Sequence, residues 1–380
     1  MELKVKQRIA IAVCFFLTGV CFSTWASRIP TIKDSFHLNE AQLGNLLMVM
    51  PITAIVGLPL SGWLVTRFNT RGPMLISFII FAISLLGIGA YDSIWLLIIS
   101  LTGFSFSLRL INIAMNTQAV TLQKEFTKKI NGAFHGFWSL GGIFGLLIST
   151  LMIKFNVDIT LHLGVVSIIT IIVIIVLYPF LLKNDKPETG NKLILGKPDP
   201  FVLYLGLIVF FAAVCEGGIY DWNGVYFKEV VKVELFTAGY LSFMICMTLS
   251  RFYSDVIIDK IGIEKTFIAS SLLIVVGIGL SIIFPYFWTA LFGFCITGFG
   301  IATLFPMAFT LAGESKKYGI GMTISIISTY SIIGMLIGPP LIGYIAFVFS
   351  LRTSFVIFII CGLMFIPISK LFFRIQGKRD

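Results

Sequence analysis

Charge is what this sequence has least of. Only 12% of its 380 residues are Asp, Glu, Lys or Arg, 18 acids against 28 bases, while 57% are hydrophobic and the mean hydropathy is +0.99. So little charge excludes an ordinary soluble domain and a disordered chain. Histidine is scarcer still: His37, His135 and His162 stand far apart. The six cysteines (Cys14, Cys21, Cys215, Cys246, Cys295, Cys361) all fall in apolar runs without the paired spacing of a zinc or redox motif. No metal or cofactor is implied, and the cysteines read as packing residues. The chain has no H-E-x-x-H, no G-x-S-x-G and no paired membrane aspartates, so no catalytic residue is assigned and an enzyme is not expected.

What the chain has in abundance is long apolar runs. Twelve recur, at 8–28, 41–66, 73–91, 93–122, 130–153, 159–182, 200–227, 235–257, 264–284, 287–312, 319–347 and 352–374. Each approaches or exceeds the roughly 20 residues that cross a hydrocarbon layer about 30 Å thick. The expected fold is an all-α membrane protein with twelve transmembrane helices. Lys4, Lys6 and Arg8 precede the first run as in a secretory leader, but no small-residue cleavage site follows, and the run reads as a retained helix. Arg28 and Pro30 are expected to end it at the outer surface, and Pro339 and Pro340 to permit a bend in the eleventh span.

The net charge of +10 follows from topology rather than from nucleic-acid binding. With both termini cytoplasmic, 21 Lys and Arg fall on the cytoplasmic side, six on the other, and one, Arg109, inside a span. A single long polar connection, 183–199, separates residues 1–182 from 200–380, giving two six-helix bundles joined by a cytoplasmic linker. The halves repeat faintly. SGWLVTRFNTRG after the second span matches SRFYSDVIIDKIG after the eighth, and WSLGGIFG in the fifth matches YSIIGMLIG in the eleventh. Parallel six-helix repeats characterise transporters that rock about a site near the bilayer midplane.

Polar residues inside the spans nominate that site. Arg109, Asn112 and Asn116 lie at i, i+3 and i+7 in the fourth span and share one helix face, whereas Gln118 points elsewhere. An intramembrane arginine cannot shed its charge, so it faces a cavity or a partner. In the seventh span Glu216, Tyr220 and Asn223 lie at i, i+4 and i+7, with Glu216 at a depth comparable to Arg109. Two readings of Arg109 stay open: an ion pair with Glu216 across the halves, or a direct ligand for a carboxylate or phosphate. Trp25, Trp138, Tyr220, Trp222 and Tyr330 stand beside polar positions and suit the apolar face of a sugar, although packing is the commoner use of such rings. His135 reads as an inter-helix contact.

Three stretches carry a closer likeness: WASRIPTIKDSFHLNEAQLG (25–44), NIAMNTQA (112–119) leading to FHGFWSLGG (134–142), and EGGIYDWNGVYF (216–227). Through them the chain resembles the major facilitator superfamily, in particular its fucose-permease-like branch of bacterial sugar-type permeases. The resemblance implies a monomer in the bacterial inner membrane that moves a small polar solute, such as a sugar or acidic sugar derivative, by alternating access. An exporter of amphipathic compounds and a non-transporting sensor are the alternatives. The drug antiporters of the superfamily usually have a G-P pair in the fifth helix, where this chain has SLGGIFG.

The departures from the family pattern are informative. Where relatives commonly have a carboxylate in the fourth helix, Asn112 cannot titrate, which leaves Glu216 or Asp221 to carry any coupled proton. The turn after the second helix has Thr66 and Asn69 in place of the usual G-x-L-x-D-R-x-G acid. The second-half copy keeps Arg251 and Asp255 at i and i+4, which implies a gating pair.

Overall fold

The computed structural model describes residues 2–90, 92–126, 130–183, 199–318 and 320–376, and within them all side chains except those at 58, 59, 62, 63, 65, 66, 131, 255, 320 and 321. The described residues form helices and turns without a strand. In order these helices are α1 (Leu3–Ser35), α2 (Glu40–Leu47), α3 (Val49–Arg67), α4 (Arg71–Ala90), α5 (Ile94–Gln123), α6 (Asn131–Lys154) and α7 (Ile159–Leu177). There follow α8 (Pro200–Glu229), α9 (Thr237–Ile261), α10 (Ile263–Ile283), α11 (Phe287–Ile301), α12 (Leu304–Ala312), α13 (Ile320–Val348), α14 (Leu351–Ser354) and α15 (Val356–Gln376). Among the described residues eleven helical segments are long and apolar enough to cross a membrane. The 25-residue α9, which carries Arg251 and three further charges, is the twelfth.

Local chemistry explains where these helices start and break. Asn39 and Gln42 form a reciprocal capping box at α2, the amide of each bonded to the side chain of the other at 3.0 and 2.8 Å. Asp199 caps α8 by accepting from the Val202 amide at 3.0 Å, with Pro200 in the first helical position, where its missing N–H costs nothing. Two single spans are each two helices. Pro51 opposes the carbonyl of Leu47, where α2 ends, and Pro306 opposes that of Ala302, just past the end of α11.

One expected helix end moves. Arg28 and Pro30 do not terminate α1, which runs on to Ser35 with Pro30 inside it. A proline deletes one amide, and in a helix so deeply packed the neighbouring helices supply the stability that it removes. Arg28 is 4% exposed and bonded to its neighbours rather than free at the surface.

Contacts divide the chain into two compact units. One takes Met1–His37 and Val49–Asn191, and the other takes Leu38–Met48 and Lys192–Asp380. The expected first bundle, 1–182, is therefore corrected by one segment. α2 belongs to the second unit because Gly44 lies against the backbone of Pro339 and Pro340, Gly343 lies against the Glu40 carbonyl, and Asn45 bonds Tyr344 at 3.1 Å.

In the first unit α1 is seated on α6 through Gly19, Gly141 and Gly145, whose α-carbons meet the carbonyls of Trp138, Phe16 and Val20. In the second unit α8 meets α13 in the same way, with Gly334 against the Phe210 carbonyl and the Tyr330 ring against Gly206. The two stretches matched as a repeat thus both supply small residues, on which α1 rests in one unit and α8 in the other. Ile168, Ile169, Ile172 and Ile175 of α7 are exposed, as lipid-facing positions should be.

Cys246 of α9 and Cys295 of α11 are joined by a disulfide with their α-carbons 5.4 Å apart, while Cys14, Cys21, Cys215 and Cys361 are free and buried. The reading of all six as packing residues is thereby corrected for one pair. Spacing in sequence does not reveal it, because 49 residues separate partners that helix packing brings together. Alkylation in denaturant without reductant is expected to modify four thiols, and six after reduction. Six in both conditions would dismiss the bond.

Candidate functional site

Two constellations arise, one in each unit. In the second unit Glu216 of α8 is 7% exposed, and its Oε1 accepts from the Tyr220 hydroxyl at 2.6 Å and from Arg251 Nη2 at 3.1 Å. Tyr220 is one turn on from Glu216, which is why one carboxylate oxygen reaches it. α9 packs beside α8 and delivers Arg251 from the other side. The Tyr220 ring lies edge-on to Phe243 at 5.9 Å and near Tyr240 at 5.6 Å, so aromatic rings flank the tyrosine that bonds Glu216.

The ion-pair partner of Glu216 is therefore Arg251, within one unit. Of the proposed gating pair, Arg251 is engaged with Glu216, and the side chain of Asp255 lies outside the described residues, as does that of Thr66 in the other copy. In the sequence Arg251 counts with the cytoplasmic bases after the eighth span, which does not anticipate its pairing with Glu216.

Further along α8, Asn223 is fully buried and neither its Nδ2 nor its Oδ1 has a hydrogen-bond partner. Trp222 is likewise buried with Nε1 unpartnered, and its ring edge touches Gly343. Asp221 is half-buried. Unsatisfied polar atoms at such depth cost about 1–3 kcal/mol each.

In the first unit Arg109, Asn112 and Asn116 lie on one stripe of α5. Arg109 is half-buried, its Nε is shielded and lacks a hydrogen-bond partner, and no carboxylate among the described residues of its unit pairs with it. Asn116 turns its Nδ2 back to the Asn112 carbonyl at 2.7 Å, which leaves its side-chain oxygen outward. Gln118, off this stripe, bonds Thr70 at 2.9 Å and the Leu182 amide at 3.3 Å, and so ties α5 to its neighbours.

The remaining aromatic candidates divide. Trp25 is 1% exposed and tilted against Phe104 at 6.4 Å, a core position of its unit. Trp138 is half-buried beside Phe22, and Tyr330 is half-buried on Gly206. His135 is exposed, edge-on to Phe15 across the α1–α6 contact at 5.3 Å. The sequence passed over the contact of Arg28 with His162, which are 134 residues apart.

Comparison with known proteins is consistent with this architecture. The family model described as Major Facilitator Superfamily matches residues 11–317 and 230–379. An uncharacterised MFS-type transporter of Yersinia pestis is 28% identical over 355 residues, 92% of each chain. The nucleoside transporter NupG, solved as a mutant, superposes with a TM-score of 0.79 at 13% identity, covering 98% of this chain and 100% of that one. FucP, a superfamily transporter solved in the outward conformation, gives 0.65 at 15% identity over 98% and 99%. At such identities the solved structures share the fold and nothing finer is taken from them. With a family model that spans nearly its whole length and two units that seat their helices alike, the chain belongs to the Major Facilitator Superfamily.

Proposed function

We propose that the protein is a secondary transporter of a small, polar, anionic solute, an acidic sugar derivative being the chemistry that fits best. The observation that carries this reading is an imbalance of charge. Glu216 already has its cation, Arg251, whereas Arg109 holds a permanent charge with a buried, unpartnered Nε. Desolvated cations of this kind are rarely tolerated in a membrane without an anion. A carboxylate or phosphate on the solute supplies it, received by the guanidinium fork, while Asn112 and Asn116 offer amide donors and acceptors to hydroxyl groups. Glu216 is the carboxylate for a coupled proton, with Asp221 the second candidate. In a bacterial inner membrane with both termini cytoplasmic, the inward proton gradient then drives symport.

A charge-assisted contact is worth about 1.5–3 kcal/mol, or roughly ten- to a hundredfold in Kd. Hexuronates are expected to raise the unfolding temperature of the purified protein where neutral hexoses do not, and Arg109→Ala is expected to abolish the rise. Equal stabilisation of wild type and variant by the acid would remove Arg109 from the site. In proteoliposomes under an imposed pH gradient, intact transport with unchanged pH dependence in Glu216→Gln would exclude that carboxylate as the proton carrier.

A further inference from the structure

The contact between α1 and the start of α7 has a chemistry that the transport reading does not use. Arg28 Nε donates to Nδ1 of His162 at 3.1 Å, and its Nη2 donates to the Val157 carbonyl at 3.0 Å. Arginine keeps its protons, so the hydrogen in the first bond is always supplied by Arg28. Nδ1 must then carry a lone pair, and the imidazole is neutral with its hydrogen on Nε2. That Nε2 is buried and without a hydrogen-bond partner, in a side chain only 1% exposed.

We propose that His162 is a proton-binding site of the first unit, and that filling it breaks the Arg28–His162 contact between α1 and α7. A proton added at Nδ1 leaves two donors face to face and two positively charged groups across the 3.1 Å contact. The bond is lost, not merely weakened. Arg28 retains the Val157 carbonyl and the attraction of the Asp158 carboxylate, so it swings to the backbone side while the imidazole turns away.

The surroundings single out His162 as the group that responds. From α1 it is faced by Arg28, the one charged group among the described residues that acts on it directly. From α4 the contacts are Leu86 against Gly164 and the Gly89 carbonyl, which takes the Thr160 hydroxyl at 2.6 Å. On its own helix the nearest charge is Asp158, the cap of α7. Slight desolvation pushes that carboxyl up, but the amides of Leu161, Thr160 and Ile159 outweigh it and hold the carboxyl below the usual range. Asp158 therefore stays ionised while a histidine titrates, and the change of charge belongs to the imidazole. Trp25 lies three residues before Arg28 on the same helix. By the distribution of basic residues this end of the unit faces outward, where protons accumulate.

The test is the acid dependence of thermal unfolding in detergent from pH 8 to pH 5. The wild type is expected to lose about 2–8 °C beyond any general trend. His162→Gln, whose side-chain oxygen accepts from Arg28 but does not titrate, is expected to lack that extra loss. The same acid dependence in both proteins overturns the proposal, whether or not Arg109 binds an anion.

Histidine-labelled wild-type protein gives a second reading if the variant fails to fold. The chain has three histidines, and His37 and His135 are exposed. Near pH 7.5 one imidazole is expected to show the hydrogen on Nε2 alone and to switch in slow exchange as acid is added. Three imidazoles titrating alike would equally overturn it.

Discussion

Gly141→Ala is expected to cost the protein about 2 kcal/mol or more, whereas Gly136→Ala on the same helix stabilises it slightly. The added methyl gains up to about 1 kcal/mol of helix propensity at either position. At Gly136 it meets nothing within 4 Å, so the gain stands. At Gly141 it is placed on the Phe16 carbonyl of α1, far inside contact distance. Backbone cannot rotate out of the way as a side chain does, so α1 must move bodily off α6. Overpacking costs about 1–3 kcal/mol where side chains yield, and more where they do not. In lipid, the dispersion lost between two separated helices is not offset by water. Unfolding temperatures of both variants in one detergent decide the matter. Equal midpoints would mean that α1 does not rest on α6 through this glycine.

Removing Arg251 should be equally costly, for a different reason. In Arg251→Met the Glu216 carboxylate stays buried with only the Tyr220 hydroxyl for company, and breaking a buried pair from one side costs about 3–5 kcal/mol. Replacing both members, Glu216→Gln with Arg251→Met, removes the stranded charge and should recover most of the loss. A double-mutant cycle from denaturant unfolding measures the coupling, expected at about 2 kcal/mol or more. Additive effects would show that Glu216 and Arg251 stabilise the unit independently, and the 3.1 Å contact would then carry no structural weight.

Both predictions rest on contacts that the sequence shows only in part. The helices were legible because a bilayer demands long apolar runs, and the small residues of WSLGGIFG announced close packing without naming the helix packed against them. The broken second and tenth spans were legible in principle, since Pro51 and Pro306 each forbid a carbonyl bond one turn earlier. Pro30 obeys the same rule and yet leaves α1 whole, because burial on several sides outweighs one missing amide.

The site divides in the same way. Helical spacing placed Arg109, Asn112 and Asn116 on one stripe, as spacing along a single helix can. It could not choose a partner for Glu216, because depth in the membrane is shared by residues of many helices and only packing selects Arg251 from α9. Arg28 and His162 were hidden for the same reason, each looking like a surface or isolated residue until α1 and α7 are set side by side.

The small segment Leu38–Met48 bears on whether the two halves of the chain could stand apart. Its glycine lies on Pro339 and Pro340, and Gly343 lies on the carbonyl of Glu40, so a short stretch encoded in the first half completes the surface of the second. A gene cut at the linker would not yield two self-sufficient proteins. The later fragment would carry α13 with that face bare. A segment encoded before the linker is thus part of the interior of the unit encoded mostly after it.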